Sequence, residues 1–190
     1  MRKTGPGHVR IIAGSLRGSK LPVLAADGLR PTGDRVRETL FNWLQNRIEG
    51  RRVLDLFAGS GALGFEALSR GAAEAVLVES HAPAAALLRE NRERLKTDRL
   101  QVVQGDALAW LAGNAGQCFD LVFLDPPFAS APWPRLWPLL LPLLNDGALV
   151  YVETAATASA DLPEGLVVLK EGKTRESRHL LAQWQKPAGG

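Results

Sequence analysis

The most constraining feature is the stretch VLDLFAGSGALGFEAL, residues 53–68. A short apolar run ends in an acid, Asp55. Three glycines follow, Gly59, Gly61 and Gly64, and then residues at helical spacing, with Leu63, Ala67 and Leu68 on one face. A strand that turns through glycines into a helix is the opening unit of a doubly wound α/β domain. There the glycines let the backbone approach a ligand and the helix pack closely on the strand. In dinucleotide folds this turn takes a pyrophosphate at the helix N-terminus. An acid placed just before the loop instead suits a ligand that presents a cationic or donor group, and S-adenosylmethionine has an α-ammonium, a sulfonium and no phosphate.

From this unit onward apolar runs alternate with helical patterns. Strands are expected at 75–79, 100–106, 120–125 and 148–153, with helices at 82–95, around 107–111 and at 133–144. The turn Asn145-Asp146-Gly147 is expected to end the last helix. Residues 166–184 read as a closing pair of strands joined by a polar connection over 171–177. Such alternation predicts a mostly parallel sheet covered by helices on both faces, with an antiparallel edge. Residues 1–52 differ. They suggest a strand pair at 9–14 and 19–24, then a loop and an amphipathic helix within 29–48, with Val36, Leu40, Trp43, Leu44 and Ile48 as its buried stripe. Two units are therefore expected: a basic arm over 1–52 packed on a core over 53–190.

Charge follows the same division. The arm holds 11 Lys/Arg against 4 Asp/Glu, while the remaining residues hold 12 against 16. A basic arm on a mildly acidic body points to a polyanionic partner, most simply nucleic acid. The chain has one cysteine, Cys118, and three histidines far apart in sequence, His8, His81 and His179. Neither a disulfide framework nor a metal site is expected. Apolar stretches are too short to span a bilayer, and no apolar segment follows the basic N-terminus as a secretory signal would require, so a cytoplasmic location is expected.

Carboxylates recur where apolar runs end. Glu79 lies 24 residues beyond Asp55 and is placed to accept both hydroxyls of an adenosine ribose. Asp106 follows the next run, within reach of an adenine amino group. Asp125 ends LVFLD and is followed by Pro126, Pro127 and Phe128. Pro126 biases Asp125 toward extended angles, and neither proline carries an N–H. The loop therefore offers acceptors only, which suits a substrate presenting two N–H donors, such as the exocyclic amino group of a nucleobase. Phe128 can stack on the face of that base. These motifs alone do not choose among guanine, adenine and cytosine.

Together, DLFAGSGALG, VES, GDA and DPPF resemble, in order, the class I S-adenosylmethionine-dependent amino-methyltransferases. RIIAGSLRG over 10–18 and GLRPTGDRVRETLFNWL over 28–44 narrow the resemblance to the RsmD family of bacterial small-subunit ribosomal RNA guanine-N2 methyltransferases. The resemblance implies a Rossmann-like seven-stranded sheet with an antiparallel edge hairpin. It also implies that Asp55, Phe57, Gly59 and Gly61 surround the methionine part of S-adenosylmethionine, that Glu79 holds its ribose, and that Asp106 and the Ala107 backbone hold its adenine. Asp125, Pro126 and Phe128 would hold the target base. Arg10, Arg17, Arg30, Thr32, Arg35 and Arg37 would contact RNA. The implied partner is 16S ribosomal RNA, free or within a ribosomal particle, and a monomer suffices.

Three rival readings remain at this stage. An adenine-N6 or cytosine-N4 DNA methyltransferase uses the same acceptor loop, but the chain is short for a separate DNA-recognition domain. An NAD-dependent oxidoreductase fits the glycine turn and Glu79 but leaves DPPF without a role. A non-catalytic RNA-binding module gives the acids no reason to converge.

Overall fold

The structure is a computed structural model and describes residues 7–24, 33–130 and 132–187. Two short strands open it, β1 (Gly7–Arg10) and β2 (Lys20–Val23), followed by α1 (Asp34–Trp43). The core alternates β3 (Arg52–Asp55), α2 (Ala62–Ser69), β4 (Glu74–Glu79), α3 (Ala82–Arg94), β5 (Leu100–Gln104), α4 (Ala107–Gly113), β6 (Phe119–Leu124) and α5 (Trp133–Leu140). A 3₁₀ turn at Leu141–Leu143 leads into β7 (Leu144–Ala155), β8 (Leu166–Lys173) and β9 (Ser177–Trp184).

Seven strands form one sheet in the order β5-β4-β3-β6-β7-β9-β8. The first five run parallel, and β9 is antiparallel to both β7 and β8. The order reverses at β3, the point where open α/β sheets leave a crevice beyond their strand ends. Valines, leucines and alanines on both faces make the strands near-continuous apolar runs, as burial under helices requires. One face is covered by α2, α3 and the arm, the other by α4 and α5, and each forms its own apolar cluster.

The described residues of the arm share a core with the rest of the chain. Val9, Ile11, Leu21, Val23, Leu40, Phe41 and Leu44 belong to the same cluster as Val53, Phe65 and Phe123 of the core. Polar anchors fix it as well. Glu66, fully buried on α2, accepts the Ile12 N–H at 2.7 Å and the Ala13 N–H at 3.0 Å. Gly14 lies so close to α2 that a Cβ there would come within 1.8 Å of the Ser69 carbonyl oxygen, so glycine is required.

Several local expectations are corrected. The arm helix buries Arg37, Leu40 and Phe41, while Val36 and Trp43 are half-buried. Its N-terminus leans on the core through Arg37, which a pattern of apolar residues cannot register. Asn145-Asp146-Gly147 does not stand apart as a turn. It lies inside β7, where pairing with β6 jumps from Leu144 to Leu149 and Gly147 takes φ 77°. The connection between the last strands is only 174–176, because β8 continues through Glu171 to Lys173 along an exposed edge where charge costs nothing.

Candidate active site

Strand register lines up the acids. Asp55, the last residue of β3, pairs with Leu77 on one side and Phe123 on the other. Glu79 and Asp125 each lie two residues beyond those partners, on the same face by strand alternation. Strands about 4.8 Å apart therefore present Glu79, Asp55 and Asp125 side by side at the C-terminal edge of the sheet. This is the edge at which open α/β sheets hold ligands.

Each acid is held differently. Asp55 is buried, and its Oδ2 accepts the Gly64 N–H at 3.1 Å, so α2 orients it from above the glycine turn. Burial raises its carboxyl from 3.8 to about 7; the Gly64 N–H opposes this, while Asp125 and Glu79 add to it. A buried acid among acids favours any cation placed beside it. Glu79 is nearly buried, with one oxygen accepting the Gly59 N–H and the other the His81 N–H, both at 2.7 Å. Each oxygen keeps a further lone pair, enough for a pair of ribose hydroxyls. Asp106 is exposed and caps α4 by accepting the Ala109 N–H at 2.9 Å, beside the buried Ala107.

The glycine turn leaves the space that a ligand needs. A Cβ on Gly59 would meet nothing within 4 Å, so the backbone there borders open volume. Gly61, at φ 75°, begins α2 against α3, and a Cβ there would fall 2.5 Å from Leu88. Phe57 is half-buried against the α4–α5 side of the core. Open backbone, a buried carboxylate, a second carboxylate with lone pairs to spare and a capping acid in sequence fit an adenosine carrying a cationic amino acid. Residues Asp55, Gly59, Glu79 and Asp106 would hold it.

Beyond the cofactor side, Asp125 is half-buried, Pro126 buried and Phe128 49% exposed. An apolar ring left this open at the mouth of a cleft is available to stack. The cleft is lined by Pro126, Phe128, Trp133, Glu153 and Thr154. Glu153 was not singled out from the sequence, although ALVYVE ends on an acid as the other strands do. No motif follows that acid, so its local sequence does not assign it a role.

The arm residues divide. Arg10, Arg17 and Arg35 are exposed. Arg30 and Thr32 lie outside the described residues. Arg37 does not face solvent: it is 1% exposed, bonds Asp34 at 2.8 Å and lies 4.0 Å from Glu66. Its charge is spent inside the protein, so the RNA contact expected of it is replaced by a structural role. Among the described residues no cluster of His, Cys, Asp and Glu could hold a metal, and no helix is long and apolar enough to cross a membrane.

A parallel sheet with this order and reversed last hairpin, carrying acids at the ends of β4, β3 and β6 and an Asp-Pro-Pro-Phe loop, defines a class I methyltransferase. The family model described as Conserved hypothetical protein 95 matches residues 9–183. The chain is 47% identical over 173 residues to ribosomal RNA small subunit methyltransferase D of Haemophilus influenzae, covering 88% of this chain and 90% of that one. It is 48% identical over 153 residues to the protein of the same name from Escherichia coli K12, covering 80% and 77%. The solved structure of YhhF from Escherichia coli superposes with a TM-score of 0.86 at 42% identity, covering 95% of this chain and all of that one. The chain belongs to this family, that of the small-subunit ribosomal RNA methyltransferase D.

Proposed function

We propose that the chain transfers a methyl group from S-adenosylmethionine to the exocyclic N2 of a guanine in small-subunit ribosomal RNA. The observation that carries this reading is the position of Asp125 and its donor-free Pro126-Pro127 loop, next to Asp55 at the sheet edge. Family membership supports the ribosomal RNA substrate; the choice of guanine N2 rests on the family resemblance.

Bound S-adenosylmethionine supplies an electrophilic methyl group. The chain's own residues prepare the acceptor. The lone pair of a guanine amino nitrogen is delocalised into the ring. Asp125 and the Pro126 carbonyl would accept its two N–H groups, localise that lone pair and aim it. Fixing the approach makes a bimolecular step effectively unimolecular. As the nitrogen gains positive charge, the Asp125 carboxylate stabilises it and takes the released proton. Phe128 stacks on the base, which must leave its helical stack to enter, so a single-stranded or loop nucleotide is the natural target. The basic arm over 1–52 grips phosphates, and the protein works as a monomer in the cytoplasm on RNA that is free or within a ribosomal particle. Mass-spectrometric nucleoside analysis of ribosomal RNA from cells with and without the protein tests the reading. Loss of N2-methylguanosine at one nucleotide is expected; loss of a different modified base, or of none, would sink it.

Three further outcomes follow from the geometry. Below pH 7 Asp55 must shed its proton to meet a cation. Cofactor affinity measured by calorimetry should therefore rise with pH toward about 7, with up to one proton released per binding event, and Asp55→Asn should flatten that dependence. The same shift acts on the empty protein. Because the folded pKa lies above the unfolded one, its contribution to stability is fully present below about pH 4 and is lost as pH rises through about 7. That contribution is up to roughly 4 kcal/mol, from about three pKa units. Reversing charge at exposed Arg10, Arg17 and Arg35 should weaken RNA binding and flatten its dependence on salt by roughly 0.7–0.9 per lost phosphate contact. Cofactor affinity should not move. Unchanged RNA affinity would show that the arm faces elsewhere.

A further inference from the structure

One buried carboxylate in the base cleft has no part in the chemistry so far: Glu153, 6% exposed, near the end of β7. Its position is set by the sheet. Phe123 pairs with Tyr151, and their rings meet edge-on at 6.4 Å. Two residues further on, Asp125, just past the end of β6, and Glu153 of β7 both lie near enough for their charges to act on Tyr151. On its other side Glu153 pairs with His179 of β9, whose ring stacks on Trp43 at 5.4 Å.

The surroundings hold Glu153 in place and leave it acceptor capacity. The buried Tyr151 hydroxyl donates to its Oε2 at 2.9 Å. No described residue donates to Oε1. His179, 4% exposed, has a buried Nδ1 without a hydrogen-bond partner among the described residues, and burial pushes its pKa down, against the pull of Glu153. Burial and the charges of Glu153 and Asp125 push the Tyr151 hydroxyl well up, so it stays a donor. Held from behind by a phenol, Glu153 lines the cleft together with Pro126 and Phe128, so its remaining acceptor capacity lies where a base would enter.

Resting on the methyltransferase reading above, we propose that Glu153 is the residue that selects guanine. It accepts the guanine N1–H while Asp125 and the Pro126 carbonyl accept the adjacent amino group. Guanine presents N1–H and N2–H side by side, so two neighbouring acceptors match its edge. Adenine N1 and cytosine N3 are lone pairs in the corresponding place next to their amino groups. A carboxylate can only accept, so either base would set lone pair against charge in a site shielded from water. The amino-acceptor loop by itself takes any of the three bases; Glu153 removes two.

The test separates base selection from catalysis. Ribosomal RNA carrying 2-aminopurine at the target nucleotide keeps the C2 amino group and replaces N1–H with a lone pair. The RNA is used in the form that wild type methylates. Wild type should transfer methyl to it with kcat/KM lower than for guanine by on the order of 10- to 100-fold. Glu153→Gln, whose amide can also donate, should lose activity on guanine and gain on 2-aminopurine, bringing the two within about threefold. Tyr151→Phe, which frees the carboxylate, should narrow the ratio partway. Cofactor binding by each variant reports that the site is folded. Wild-type rates within threefold on the two RNAs would overturn the proposal without any variant. So would equal losses on both RNAs in a Glu153→Gln protein that still binds cofactor. Failure of the wild type to methylate the guanine-bearing RNA in any form, free or within a ribosomal particle, would overturn the methyltransferase reading itself.

Discussion

Asp125→Ala is expected to leave a folded protein that binds S-adenosylmethionine and transfers no measurable methyl group, a fall of at least about 10³-fold in kcat. Losses of 10²–10⁴ are usual when a single group that orients, stabilises and deprotonates is removed. The residue sits at the exit of β6, so truncation removes acceptor and charge without opening the core. Cofactor affinity should hold or improve slightly, because Asp125 is one of the charges that raise the Asp55 carboxyl. Asp125→Asn keeps an acceptor oxygen but neither the charge nor the base, and should fall between the two, roughly 10- to 10²-fold below wild type. Single-turnover transfer of a labelled methyl group, with cofactor binding measured in parallel, distinguishes these. Near-normal transfer by Asp125→Ala would remove the proposed mechanism.

The largest structural effect is expected at Glu66, far from the chemistry. Its carboxylate holds the arm on the core by accepting the Ile12 and Ala13 N–H groups, and it receives Arg70 Nε at 2.8 Å. It also stands 4.0 Å from the buried Arg37 guanidinium, whose Nε and Nη1 have no hydrogen-bond partner among the described residues. Arg37's other ion-pair partner, Asp34, is 77% exposed and so weakly effective. Glu66→Ala would strand a buried cation and two backbone donors. Breaking a buried pair from one side costs about 3–5 kcal/mol. At about 2–4 °C per kcal/mol for a chain of this size, the melting temperature should drop by roughly 6–20 °C in calorimetry. Glu66→Gln keeps one acceptor oxygen and should lose about half as much. A drop of less than about 3 °C for Glu66→Ala would show that the apolar contacts and the Ser69 hydrogen bonds hold the arm without it.

These two outcomes draw on different kinds of information. Asp125 is legible in the chain because its signal is local: an apolar strand, an acid, two prolines. The same holds for Asp55, Glu79 and the glycine turn, since strand alternation and loop chemistry act over a few residues. Arg37 is not legible. It sits in a run of basic residues, where exposure is the ordinary expectation, and it is buried only because Glu66 lies on a helix 29 positions later. Trp43 and Phe41 exchange roles for a similar reason. Phe41 packs edge-on to Phe123 at 6.1 Å on the sheet, while Trp43 turns to His179 on the penultimate strand of the sheet. Helical spacing alone does not say which of two aromatics in one turn meets the core.

Glu153 lies between these cases. That an acid ends an apolar run is visible in ALVYVE, but nothing in its neighbourhood says what it faces. Its place beside Asp125 depends on β7 pairing in parallel with β6 across the extra residues at 145–148. The sequence by itself determined the alternating α/β order, the acids at the strand ends and the donor-free loop, because each is set by interactions a few residues long. Tertiary structure alone decided which charges became buried partners and which carboxylates became neighbours. Strand order and helix docking bring together residues far apart in the chain, and only there do desolvation and proximity choose a role for each.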